Sequence, residues 1–302
     1  MTAEPLDRKE IKWRVRETLE TAHVSPKRFT ALYLGLGILL NWAAWLGGGE
    51  KFTALVNSVL NGYGAANLSG GMVAALFISV LTSLLSLVLD AGFVLYCMSV
   101  RRGEEAEYRV LFDGFGLIGK LILLEIVKSL FILLWGLLLV IPGIVASYRY
   151  RFALFNLLEN PELGVMETLA MSKGQSWGYK AQLFLLDLSY LGWGILAGLP
   201  GTIYQRVIQG RLQSMAFSTY SGGGVPDFLA IQQSVPTDFL GLPGPVWELL
   251  LIPVWALAVS LFYLPNYQCV ELEYFEAAKR SSGIGADAPF WGQDDTFEGT
   301  SL

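Results

Sequence analysis

Histidine and cysteine are almost missing from this chain. It holds one histidine, His23, and two cysteines, Cys97 and Cys269, in 302 residues. A single histidine excludes a His-based metal centre and a His-dependent catalytic triad. Two cysteines far apart in sequence supply neither a disulfide framework nor a zinc site. Charge is scarce too: 16% of residues are Asp, Glu, Lys or Arg, against roughly a quarter in soluble domains. There is no Gly-x-x-x-x-Gly-Lys loop, no Gly-x-Ser-x-Gly elbow and no His-Glu-x-x-His pair. No basic, aromatic-interleaved stretch argues for nucleic acid. No enzyme, cofactor or metal is expected on these grounds. The first 28 residues are charged and amphipathic rather than shaped like a cleavable signal peptide.

What is abundant is apolar sequence, 53% of the chain, gathered into long blocks that mark membrane spans rather than a soluble core. The expected fold is an all-α polytopic membrane protein, a bundle of about six transmembrane helices with amphipathic surface helices. Residues 1–28 form a cytoplasmic amphipathic segment. Within it Ile11, Val15, Leu19 and Ala22 recur at helical spacing among Arg8, Lys9, Lys12, Arg14 and Arg16, suiting either a headgroup-bound helix or a solvated lead-in. Residues 29–280 hold the membrane domain, with spans at about 29–46, 72–100, 117–141, 144–159, 181–199 and 246–270. Residues 52–71 read as an external loop and 103–116 as a short charged loop. Pro142-Gly143 reads as a tight reversal, and 202–220 as an external amphipathic helix. Residues 144–159 are open to two readings, a fourth span with buried arginines or a tilted helix whose arginines snorkel. Residues 281–302 read as a disordered acidic tail.

Basic residues choose the orientation. With both termini in the cytoplasm, fifteen of the 21 Lys and Arg lie on that side, and Lys51, Arg206 and Arg211 lie opposite. The remaining three fall inside spans. Six spans satisfy this bias, and five leave one terminus on the wrong side.

Residues 141–201 carry recognisable motifs: IPGIVASYRY, ENPEL, MSKG and LFLLDLSYLGWGIL. With the later LPNYQCVELEYFE they resemble a bacterial membrane family, domain of unknown function 975. The matching positions include Ser172, Lys173, Gly174, Leu183, Phe184, Leu188, Ser189, Gly192 and Trp193. The chain departs from the pattern at Arg149 and Arg151. The resemblance implies a multi-pass protein of a bacterial plasma membrane and no particular chemistry.

Six charges fall inside the spans: Asp90, Glu125, Lys128, Arg149, Arg151 and Asp187. Counted inward from the cytoplasmic ends, they lie at depths of roughly 7–17 Å, and their formal charges cancel. Such residues face partners or water-filled cavities. Asp90 is expected near Lys128, and Asp187 or Glu125 near an arginine. A polar cavity for an ion, solute or lipid headgroup is one reading; a closed network holding helices together is the other. Gly194 and Gly198 make a small-x-x-x-small pattern, for packing within the monomer or across a homodimer. Trp42, Trp45, Trp177 and Trp247 read as belt anchors, and Trp193 as a packing residue. The expected partners are the lipid bilayer and a membrane-protein partner or second copy. The function expected is a non-enzymatic scaffold or accessory subunit of the cell envelope. A transporter or channel-like protein for a small solute, ion or lipid is the alternative.

Overall fold

The computed structural model describes residues 6–48, 70–223, 231 and 234–285. The expected loop at 52–71, up to residue 69, and the tail beyond residue 285 lie outside the described residues. Those described are helical throughout apart from turns and one isolated bridge, Phe239 to Leu242. The order is α1 (Arg8–Glu20), α2 (Pro26–Leu46), α3 (Gly70–Arg102), a 3-10 segment (Tyr108–Leu117), α4 (Ile118–Leu138), α5 (Val140–Arg149), α6 (Ala153–Glu159), α7 (Val165–Gln175), α8 (Lys180–Ser221) and α9 (Ile252–Ser282). Among the described residues five helical stretches are long and apolar enough to cross a membrane: Pro26–Leu46, Val73–Arg102, Tyr108–Leu138, Lys180–Ser221 and Gly244–Ser282. By helix length and hydropathy the chain is a multi-pass membrane protein, and bilayer contact follows.

Packing divides the chain into two compact units. The larger comprises Asp7–Ile122 and Phe184–Leu272; the smaller comprises Met1–Leu6, Leu123–Leu183 and Glu273–Leu302.

In the larger unit α2 and α3 meet through aromatic rings. Phe29 stacks on Tyr96 with centroids 3.8 Å apart, and the Tyr96 hydroxyl donates to the Val24 carbonyl at 2.8 Å. Residues 108–117 are not a free charged loop. They wind as a 3-10 segment that buries Leu111 against α3. A Cβ at Gly92 would strike the Leu111 backbone, and one at Gly114 would come 2.9 Å from the Val88 carbonyl, so the two backbones touch where glycine allows it. Helix α1 also belongs to this unit. It buries Ile11 and Val15, and Arg8 donates to the Leu185 carbonyl at 3.0 Å.

Two prolines in this unit share one solution. Pro200 lies inside α8, and Pro253 lies in the first turn of α9 just after a π turn, Trp247–Leu251. A proline lacks the N–H that would bond the carbonyl four residues earlier. Those carbonyls belong to Leu196 and Leu249. The Trp255 indole donates to Leu196 at 2.8 Å, and the Trp42 indole donates to Leu249 at 2.7 Å. This explains why the expected fifth span and the external helix at 202–220 are one helix of 42 residues: Pro200 does not end it, because its orphaned carbonyl has a partner. It also gives Trp42 a structural bond beyond its expected anchoring role.

The smaller unit corrects the fourth span. Residues 144–159 do not form one helix. Helix α5 ends at Arg149, residues 150–152 turn, and α6 begins at Ala153. Neither piece is long enough to cross a bilayer. The turn persists because the buried Ser172 side chain holds both of its ends. Its hydroxyl donates to the Arg149 carbonyl at 3.0 Å and accepts from the Phe152 N–H at 3.1 Å. The reversal expected at Pro142-Gly143 falls instead at Leu139, which is extended (φ −162, ψ 149), and Pro142 sits in the first turn of α5, where a missing N–H costs nothing. Phe152, Phe155 and Phe275 form the aromatic core of this unit.

Candidate functional site

The six expected charges divide between the two units. Asp90 and Asp187 belong to the larger; Glu125, Lys128, Arg149 and Arg151 belong to the smaller. Each has a contact close by within its own unit. Lys128 pairs with Glu125 one turn away at 2.5 Å. Asp187 accepts a hydrogen bond from the Tyr267 hydroxyl at 2.8 Å. The Arg149 and Arg151 guanidinium groups lie 6.0 and 5.4 Å from the Tyr150 and Tyr148 rings respectively.

Asp90 lines a cavity. The space, about 270 Å³, lies among α2, α3 and α9 in the larger unit. Its polar lining is Tyr33, Asn41, Ser86, Asp90 and Ser260; Gly37 and Pro253 complete the walls with aliphatic side chains. The Tyr33 hydroxyl donates to Asp90 Oδ1 at 2.6 Å. The lining holds one carboxylate and no lysine or arginine. Asp90 is twelve residues from the basic end of α3 at Arg102, about 18 Å along the helix axis, well inside the apolar stretch. A carboxylate within an apolar stretch, beside amide and hydroxyl groups, can bind a cation or a hydrogen-bond donor. The volume suits a small solute and is at the lower end of ligand pockets.

Sequence reasoning found Asp90 and missed its neighbours. Tyr33, Asn41, Ser86 and Ser260 are each unremarkable in an apolar run; only their meeting makes a site.

A second polar group ties α1 to the larger unit. The Lys12 ammonium donates to Ser189 Oγ at 2.8 Å and lies 3.8 Å from the Tyr190 ring centroid. Burial, and then the positive charge of Arg8, hold Lys12 below the usual lysine range. Tyr190 donates to Asn266 at 2.5 Å, and Asn266 donates to the Lys12 carbonyl at 3.3 Å.

The remaining singled-out residues sit as follows. Ser172 is buried at the α5–α6 turn, and Lys173 and Gly174 follow it in α7. A Cβ at Gly174 would collide with Ile284. Gly192, Gly194 and Gly198 lie exposed on α8, with nothing within 4 Å of an added Cβ. The expectation that Gly194 and Gly198 pack within the monomer is therefore not met among the described residues. Trp193 stacks on Tyr263 at 6.1 Å. Cys97 and Cys269 are both buried free thiols. Among the described residues no three His, Cys, Asp or Glu side chains gather as a metal-ligand set.

No curated protein and no solved structure matches the chain. One family model does. It begins at the end of α4 and takes in α5, the Ser172 turn, α6, α7, α8 and most of α9. The chain is thus similar, over residues 137–280, to the family described as protein of unknown function (DUF975).

Proposed function

We propose that this is a non-enzymatic multi-pass protein of a bacterial plasma membrane, with both termini cytoplasmic, that holds a small cationic solute or ion in the Asp90 cavity. The observation that carries the reading is a lining with one carboxylate, several neutral hydrogen-bonding groups and no basic side chain. Asp90 already accepts from the Tyr33 hydroxyl, and a cation entering the cavity would meet the same carboxylate together with the neutral oxygens of Asn41, Ser86 and Ser260. The position suits a transporter or channel-like protein. A scaffold or accessory role is the second reading. It is favoured by the exposed face of α8 around Gly194 and Gly198, which a membrane-protein partner or a second copy would cover.

The test uses single cysteines at Ser86 and Ser260 in a Cys97/Cys269-free protein in membranes. Each is treated with cationic and anionic methanethiosulfonate reagents of equal size. The expected result is modification several-fold faster by the cationic reagent, with the preference lost in Asp90→Asn. Protection from both reagents, or equal rates with Asp90 present, would reject the cavity as a cation site and leave the scaffold reading.

A further inference from the structure

We propose that residues 129–149 are a re-entrant hairpin that enters the cytoplasmic leaflet, turns at Leu139 near the bilayer midplane and leaves on the same side. The partner surface is lipid: acyl chains around the two arms, and anionic headgroups at Arg149 and Arg151.

Arm lengths are the first argument. Charge ends at Lys128 on the way in and resumes at Arg149 on the way out. Residues 129–138 and 140–149 give ten helical residues each, about 15 Å per arm. That is half of a hydrocarbon core of about 30 Å. Helix α4 alone, joined to the 3-10 segment, has the length to cross. The return path decides otherwise, because α5 ends after ten residues at the turn pinned by Ser172. A full crossing of α4 would strand the chain on the far side with too little helix to come back.

Exposure is the second argument. Leu137, Leu138, Leu139, Val140 and Ile141 are 69–75% exposed, five apolar side chains at the tip. At the far headgroup region they would meet water; at the midplane they meet hydrocarbon. The reversal is built for that setting. The Leu139 N–H donates to the Trp135 carbonyl, and the Leu139 carbonyl accepts from the Gly143 N–H, both at 3.3 Å. Pro142 removes one further N–H from the first turn of α5. Backbone in hydrocarbon must satisfy its own polar groups, and this turn goes some way to doing so.

Packing between the arms is the third argument. A Cβ at Gly143 would lie 2.8 Å from Gly136 Cα, so the arms touch backbone to backbone near the tip. Phe131 stacks on Tyr150 at 5.6 Å near the mouth. The hairpin is closed at both levels and bare on its outer faces.

This placement moves four charges. Glu125, Lys128, Arg149 and Arg151 come to the headgroup level, where charge is cheap and arginine meets phosphate well. It also resolves the parity of five apolar helices. The stretches containing α2, α3, α8 and α9 cross, the hairpin does not, and both termini stay on the basic side.

The test places nitroxide labels on single cysteines at Leu130, Leu134, Leu139, Ile144 and Arg149 in the Cys97/Cys269-free full chain, in liposomes. Power saturation against oxygen and a water-soluble nickel chelate reads depth. The expected profile peaks at Leu139 and falls symmetrically to Leu130 and Arg149. Charged maleimides then probe the cysteines at Leu139 and Arg149 in right-side-out and inside-out vesicles. Arg149→Cys should label only from the cytoplasmic face, and Leu139→Cys from neither. Labelling of Leu139→Cys from the outside, with maximal depth near Leu130 or Leu134, would mean a full crossing and overturn the proposal. Water exposure of Leu139→Cys from the cytoplasmic face would mean no insertion and overturn it equally. These readouts are independent of the Asp90 cavity.

Discussion

Two polar clusters in this protein invite comparison, one in each unit. In the smaller unit Asn156 and Gln175, both almost wholly buried, exchange two amide hydrogen bonds at 2.8 and 2.9 Å. Nearby in the same unit, Lys279 Nζ lies 2.7 Å from Glu159 and 3.3 Å from Glu276. In the larger unit Asp90 accepts from Tyr33 and faces a cavity. The first cluster spends its polar groups on each other, so it fixes helix positions and leaves nothing for a ligand. The second keeps hydrogen-bonding groups turned to open space. A polar residue inside a helical protein is therefore read by what surrounds it rather than by its type.

The comparison breaks most sharply at Lys279. Lys279→Met takes its ammonium away from Glu159 and Glu276, both largely shielded from solvent, and removing one member of such a set costs about 3–5 kcal/mol. A large fall in Tm of the detergent-solubilised protein is expected; an unchanged Tm would mean this cluster is no more structural than the other. Asn156→Leu leaves Gln175 Oε1 without its donor while Gln175 Nε2 keeps the Ile284 carbonyl, at about 1–3 kcal/mol, and differential scanning fluorimetry should register a smaller drop. Trp255→Phe removes the donor that serves the carbonyl freed by Pro200. It should cost about 1 kcal/mol and raise hydrogen exchange locally in α8, around residues 196–200. The smallest effect is expected at the cavity itself. Asp90→Asn keeps the shape and an acceptor for Tyr33, so Tm should hold within about 1 kcal/mol equivalent while the charge preference of the cavity disappears. A Tm loss as large as that of Lys279→Met would erase the distinction between the two clusters.

Much of the fold was legible beforehand, and the parts that were not have a common cause. Helices α2 and α3 lie where apolar runs at 29–46 and 72–100 were expected, because each is a long apolar run ended by glycine or arginine. The span at 144–159 failed because hydropathy does not see the Ser172 hydroxyl, twenty residues away, that holds the turn before Ala153. The helix through Pro200 was cut short for a similar reason. Proline announces a missing N–H, but only the neighbouring helix shows that Trp255 fills the gap. For the candidate site, the charged member Asp90 stood out against its apolar surroundings. Tyr33, Asn41, Ser86 and Ser260 did not, since hydroxyl and amide groups are common along membrane helices.

The sequence by itself determined the solvent, the number of long apolar helices among the described residues to within one, and how basic residues are spread along the chain. These are sums along the chain: transfer free energy accumulates residue by residue, and lysine and arginine counts need no partner. The tertiary structure alone decided where the chain turns back at Leu139, which carbonyls the two indoles serve, and which carboxylate faces open space. Those outcomes depend on which side chains lie within hydrogen-bond reach across neighbouring helices, a distance of about 3 Å that no one-dimensional pattern records.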